Sequence, residues 1–336
     1  MNMKLYSFIV ITCVLFLTFS CFRPTYKVSN PLYEFEEAKL NTFNELERSI
    51  LKLTCSAFYE DYYYAPPTKL SGDSVSQESL LTEKKFTTNS VAGTGLFVMQ
   101  AANKILILSC YHVFDFEDSL ETYYFDKNKK ITKYLESRSI KYGQTIYVTH
   151  KNGAISQGKI ITKDEGMDIA LIETQAAENA LSEIPFQGTF SKASKLKLGQ
   201  EIFMLGFPKG YFMITRGLAS PSKYKDKFLV DASFNRGFSG GVTIMFDDRT
   251  GDYQYVGMAN STAYDSQIAL GPSDIVINLE SYKSIPYEED IYIKELQMIN
   301  YGITFVVSGE VITDFFKMEE YKLKQSGYYN ITKLIR

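Results

Sequence analysis

Tryptophan is absent from the sequence and histidine occurs only twice. The first absence excludes nothing about function. The second is restrictive: chemistry that needs a base of near-neutral pKa must use His112 or His150. Of the four cysteines, Cys13 and Cys21 stand near the N-terminus. Cys55 and Cys110 remain in the body, and with two distant histidines they lack the ligand spacing of a metal site. Lone cysteines on apolar strands read as buried thiols, although an export route would permit a disulfide. Excess charge is missing too. A formal net charge of −3 offers no basic face, so no nucleic-acid partner is expected. No phosphate-binding glycine–lysine motif, internal repeat or low-complexity tract occurs, and no cofactor is implied. What is present, 45 % hydrophobic and 22 % charged residues over 336 positions, suits one large folded domain or two ordinary ones.

The apolar run from Leu5 to Phe19 is shorter than the roughly 20 residues that cross a bilayer. It follows Lys4 and precedes Ser20-Cys21, the pattern of an export signal over residues 1–20. An uncleaved anchor stays open. Leu17-Thr18-Phe19-Ser20-Cys21 resembles a bacterial lipobox, which would lipidate Cys21 and tie the protein to a membrane surface. Thr18 and Phe19 depart from the usual aliphatic-then-small pair, so cleavage without lipid also stays open.

Residues 22–47 read as a tether and a short helix, the helix in YEFEEAKLNTFNELE. Ser49–Tyr64 alternates β-branched and aromatic residues, as a strand does. Residues 65–90 are expected as a long polar loop and 115–143 as an inserted loop, partly helical. From Val91 on, short strand-like runs alternate with turns: VAGTGLFVM, KILILSCYHVF, MDIALIET, EIFMLGF, GVTIMF, YGITFVV. That pattern argues for an all-β barrel or sandwich. GEVITDFFKMEEYKLKQ is expected as a terminal helix. The folded domain is placed at 48–320 and a C-terminal tail at 321–336.

Three short motifs bear on chemistry. His112 follows the apolar strand KILILSCY. Asp168 opens the apolar strand IALIET, where a buried carboxylate needs a partner, and the Nδ1–H of an imidazole would supply one. In Gly237-Phe238-Ser239-Gly240-Gly241, glycines let the backbone turn tightly around a serine, so that N–H groups converge as they would on an oxyanion. Each motif alone has an ordinary reading: a structural histidine, a turn aspartate, a glycine-rich turn.

Their order and neighbours together resemble the trypsin-like peptidases, in particular the bacterial high-temperature-requirement (HtrA/Deg) proteases. The resemblance is carried by Gly93-Thr94-Gly95-Leu96-Phe97-Val98, Ser109-Cys110-Tyr111-His112-Val113, Asp168–Ile172, Gly206-Phe207-Pro208-Lys209-Gly210, Thr215–Ser220, Asp231–Gly241 and Gly302–Phe316. It spans about residues 48–318. It implies two six-stranded antiparallel β-barrels with a short N-terminal and a C-terminal helix. It implies a serine endopeptidase with the triad His112, Asp168 and Ser239, and an oxyanion hole at Gly237, Phe238 and Ser239. By motif position, Ser233, Phe234, Asn235, Gly257, Met258, Ala259 and Asn260 line the main substrate pocket. Ser233 leaves no acid at the pocket base, so a small or medium apolar side chain is expected there. Asp231 is read as structural.

The implied partners are protein or peptide substrates, a membrane through the lipid, and other copies in a trimer. The implied location is the bacterial envelope, with a role in quality control or processing. Fewer than 20 residues follow Lys317, too few for a PDZ module. Tyr111, Arg236 and Phe238 depart from the family pattern. They leave a second reading open, a trypsin-fold binding or scaffold lipoprotein locked inactive. An esterase with Gly-x-Ser-x-Gly would place its histidine last in the chain.

Overall fold

The computed structural model describes residues 31–66, 80–128, 130–178, 182–192, 194, 196–220, 226–247, 252–271 and 291–335. The export signal, Cys13, Cys21 and the start of the tether lie outside the described residues. The chain divides into two units, Met1–Asn41 and Thr42–Arg336. A helix, Pro31–Glu47, begins in the first and ends in the second. All that follows concerns the second.

Seven strands come first: β1 (Ile50–Tyr64), β2 (Leu81–Ala101), β3 (Lys104–Ser109), β4 (Ser119–Phe125), β5 (Ile131–Thr149), β6 (Ile155–Asp164) and β7 (Ile169–Gln175). They pair in the order β1-β2-β3-β7-β6-β5, and β1 also pairs with β5, which closes a six-stranded ring with β4 hung on its rim. Six more strands, β8 (Glu201–Gly206), β9 (Met213–Ser220), β10 (Lys227–Val230), β11 (Val242–Phe246), β12 (Tyr253–Gly271) and β13 (Tyr292–Ser308), close a second barrel in the order β10-β13-β12-β11-β8-β9. Every ladder in both barrels is antiparallel.

Side-chain alternation decides how the barrels are filled. On β8, Ile202 and Met204 belong to the core of the second barrel, with Val230, Val256 and Val306. Phe203 and Leu205, one residue out of phase, join the other core, with Leu53, Leu96, Ile107 and Leu171. The two barrels therefore share one apolar layer, and the cleft above it is where their loops meet.

Three stretches differ from expectation. Residues 81–90 are strand, in register with β1 from Ser56↔Ser90 to Tyr64↔Leu81. Residues 119–125 and 131–143 are also strand, β5 pairing with β1 as far as Tyr63↔Ser137. The long edges of β1 supply hydrogen-bond partners on both sides. The side chains of 81–90 stay exposed, so the apolar alternation that marks a half-buried strand never appears there. Of residues 321–336, expected as a tail, 321–335 pack on the body. Helices Gly309–Met318, Glu320–Gln325 and Ile331–Leu334 bury Ile312, Phe315, Phe316, Leu323, Ile331 and Leu334. The Phe190 N–H donates to Leu334 O at 3.1 Å. Cys55 and Cys110 are both buried and unpaired. Burial pushes the Cys55 thiol up to about 11 and the Cys110 thiol well above its ordinary value.

Candidate active site

Antiparallel pairing brings the first two site residues together. The end of β3 lies beside the start of β7, with Ser109 opposite Ala170. Residues just past β3 therefore face residues just before β7. A single 3-10 turn, Tyr111–Val113, carries His112, anchored by the fully buried Val113. Asp168 sits in the left-handed region at φ 56°. That conformation is uncommon for a non-glycine residue and costs of order 1–3 kcal/mol. In return both carboxylate oxygens face His112. The His112 backbone N–H donates to Oδ1 at 2.8 Å, and Nδ1 lies 2.6 Å from Oδ2. With Nδ1–H donating to Asp168, Nε2 is left as the acceptor, and Ser239 Oγ stands 2.8 Å from it.

Burial pushes the Asp168 carboxyl up, but the hydrogen bonds and charge of His112 and the Asn260 amide outweigh it and hold the carboxyl below its ordinary value. Cys110 Sγ, His112 and Asp168 have ligand atoms within 4.8 Å of one another. A thiol must lose its proton to bind a metal, and burial opposes that at Cys110. The thiol instead forms part of the floor under Asp168, 3.4 Å from Ala259 O.

Ser239 comes from the second barrel, on the segment between β10 and β11. Asn235 to Phe238 is a tight turn closed by the Phe238 N–H donating to Asn235 O at 3.0 Å. Gly237 takes φ 103° at its third position, the signature of a type II turn. A Cβ there would lie 2.4 Å from Phe207 O, so glycine is required twice over. Phe238, expected in the oxyanion hole, belongs to it only by position. Its N–H is committed to the turn, and its ring is buried against Phe234 at 6.0 Å between centroids. Among the described residues nothing accepts from the N–H of Gly237 or Ser239. Two donors without an acceptor among the described residues, beside a hydroxyl–imidazole pair, suit acyl transfer, in which a carbonyl oxygen gains charge as the serine attacks.

The residues expected to line the substrate pocket divide. Ser233 is exposed and Asn235 half-buried. Phe234, Met258 and Ala259 are core side chains. A Cβ on Gly257 would lie 2.3 Å from Val307 O, so Gly257 serves the barrel wall. The side chain of Asn260 is engaged with Asp168 and Lys227. Nδ2 donates to Asp168 Oδ2 at 2.5 Å, and Oδ1 accepts from Lys227 Nζ at 3.1 Å. A single asparagine within a strand carries no sequence signal for that contact. Asp231 accepts from the Leu218 N–H, the structural part expected of it. Tyr111, one of the departures from the family pattern, is engaged by Lys163, which stands 4.1 Å above its ring and donates to its hydroxyl.

The other histidine, His150, lies in the β5–β6 turn with its side chain buried. Nδ1 is 3.0 Å from Glu183 Oε2 and Nε2 is 2.7 Å from Ser156 Oγ.

A two-barrel fold with Ser, His and Asp at the cleft defines the class as trypsin-like. Residues 93–253 match the family model of the trypsin-like peptidase domain. Within the class it is similar to the "probable periplasmic serine protease do/HhoA-like" of Haemophilus influenzae (strain ATCC 51907 / DSM 11121 / KW20 / Rd). Identity is 25 % over 193 residues, covering 54 % of this chain and 38 % of that protein. The chain thus spans about two fifths of that relative's length. Among solved structures it is similar to an HtrA-type protease, AlgW, in a variant with a decapeptide. There the TM-score is 0.45 at 14 % identity, covering 84 % of this chain and 67 % of that one. The same protease with a tripeptide gives 0.42 at 14 % identity, covering 82 % and 62 %.

Proposed function

We propose that this chain is an exported serine endopeptidase acting through an acyl-enzyme. One observation carries the reading: His112 Nε2 lies 2.8 Å from Ser239 Oγ while its Nδ1 lies 2.6 Å from Asp168 Oδ2. Ser239 Oγ attacks the scissile carbonyl and passes its proton to His112 Nε2. The tetrahedral oxyanion accepts from the Gly237 and Ser239 N–H groups. Collapse breaks the C–N bond, and His112 gives the proton to the departing amine. Water then repeats the sequence to release the acid. Asp168 keeps the imidazole in the right tautomer and stabilises its cation.

Substrates on this reading are proteins or peptides, with a small or medium apolar side chain next to the scissile bond. Export is supported by the Leu5–Phe19 run and by the periplasmic description of the Haemophilus relative. Lipid on Cys21, a trimer, and a role in envelope quality control or processing are parts of the same proposal. No described helix is long and apolar enough to cross a membrane. A fluorophosphonate probe tests the centre: the wild type labels and Ser239→Ala does not. A wild type that resists the probe under all conditions overturns the reading.

A further inference from the structure

The nucleophile turn is held from outside itself, and the holding follows a pattern. A trans peptide points its C=O and its N–H in opposite directions. Anchoring a carbonyl therefore aims the N–H of the next residue. All four carbonyls from Arg236 to Ser239 are anchored. Arg236 O accepts from the Lys209 N–H at 2.8 Å, and Phe238 O from the Gly241 N–H at 2.7 Å. These are the peptides whose N–H groups belong to Gly237 and Ser239, the two donors left free. Gly237 O accepts from Thr94 Oγ1 at 2.7 Å, and Ser239 O from the Thr94 N–H at 2.8 Å. One residue of the first barrel thus grips the turn of the second at two alternate peptides.

The direction of the Thr94 hydroxyl proton is settled by its other neighbour. Oγ1 accepts from the Phe207 N–H at 2.9 Å, which leaves its own proton for Gly237 O. Thr94 is fully buried, so water cannot replace either bond. The same hydroxyl ties Phe207, two residues before Lys209, to the turn that the Lys209 N–H anchors. Packing around this grip is tight. A Cβ on Gly206 would lie 2.8 Å from Thr94 Oγ1, and one on Gly240 would lie 2.0 Å from Thr94 O.

We propose that Thr94 is a positioning residue for the oxyanion donors: its hydroxyl holds the Gly237 carbonyl, which keeps the Phe238 N–H in its turn, and the 207–210 loop, whose Lys209 N–H aims the Gly237 N–H through Arg236 O. Among the described residues Thr94 makes no hydrogen bond to Ser239 Oγ. The proposal rests on the peptidase reading, because it assigns the free donors to a reacting carbonyl.

The test uses the full chain and three variants: Thr94→Val, which keeps the shape, Thr94→Ser, which keeps the hydroxyl, and Thr94→Cys, a weaker donor. The readouts are the rate of phosphonylation by a fluorophosphonate, the low-field Nδ1 proton resonance of His112, and crystal structures of wild type and variants. The valine variant is expected to react about 10²- to 10³-fold more slowly, as when an oxyanion donor is lost. Serine should restore the rate to within a few-fold, and the His112 resonance should stay unmoved in both. If the valine variant does not fold, the cysteine variant takes its place, with an intermediate loss. A folded valine or cysteine variant at the wild-type rate, or a serine variant as slow as valine, overturns the proposal. If the wild type takes no probe, the peptidase reading fails, and crystal structures judge the grip alone. A 237–238 peptide that keeps its orientation without the hydroxyl overturns it, and a rotated one supports it.

Discussion

Two serine–histidine–carboxylate chains run through the described residues, and they differ in exposure and in where their protons go. In the first, Ser239 Oγ lies 2.8 Å from His112 Nε2, with Asn260 O a more distant acceptor at 3.3 Å. In the second, Ser156 Oγ lies 2.7 Å from His150 Nε2, with Glu183 on the far nitrogen. The pairs look alike until the protons are followed. Thr174 Oγ1 donates to Gln157 O at 2.7 Å, so it accepts from Ser156 Oγ, also at 2.7 Å. Ser156 has then spent its proton on Thr174 and has none to give to His150. The Glu183 carboxylate also takes the Lys151 N–H at 2.7 Å. Exposure separates the two as well: the His112 side chain is 41 % exposed and that of His150 1 %. A nucleophile needs a base that can accept, a path for substrate, and free donors for the oxyanion. Ser156 has no proton left for its histidine, and the second chain ties the β5–β6 turn to the segment that links the barrels.

The comparison breaks first at the serines. Ser239→Ala should lower peptide hydrolysis by roughly 10⁴- to 10⁶-fold, while Ser156→Ala should leave the folded enzyme within about threefold. The reverse outcome in a peptide assay would invert the assignment. Next, Asp168→Asn should cost about 10⁴ in kcat through the wrong tautomer, with folding intact. Removing the base of the second chain should act on stability instead. His150→Phe strands the buried Glu183 carboxylate and should cost about 3–5 kcal/mol in urea unfolding, with kcat of the folded fraction unchanged. Asn260→Ala removes a hydrogen bond to a charged carboxylate and should lower kcat/KM by about ten- to a hundredfold.

The smallest effect is one of pH. The folded-state value of Asp168 is depressed, so its contribution to stability is present above the unfolded value of about 3.9 and is lost as pH falls through the lower folded value. The stability difference between wild type and Asp168→Asn should therefore shrink in acid. A difference that grew as pH fell would mean that the carboxyl is not held below its ordinary range.

Much of the site was legible because its motifs are local. His112, Asp168 and the Gly237–Gly241 turn each stand beside residues whose reason is short-range: a strand end, a strand start, a positive φ. The extra strand at 81–90 was not legible, since its stabilising partner is β1 and its own side chains face water. The buried C-terminal segment escaped for a related reason. Leu323, Tyr328, Ile331 and Leu334 are spaced too irregularly to mark a long helix, yet Tyr328 reaches Glu173 at 3.2 Å and Leu334 reaches Phe190. Asn260 was placed at the pocket by its strand, and the direction of its side chain was beyond any spacing rule.

By itself the sequence determined an all-β chain, two histidines able to serve as bases, and a serine that glycines hold in a tight turn. Tertiary structure decided which histidine stands against a serine with a proton to give, which asparagine meets the carboxylate, and which threonine grips the turn from the other barrel. The reason is physical. Backbone conformation answers to near neighbours, whereas the direction of a shared proton depends on every acceptor around it, and those acceptors come from distant parts of the chain.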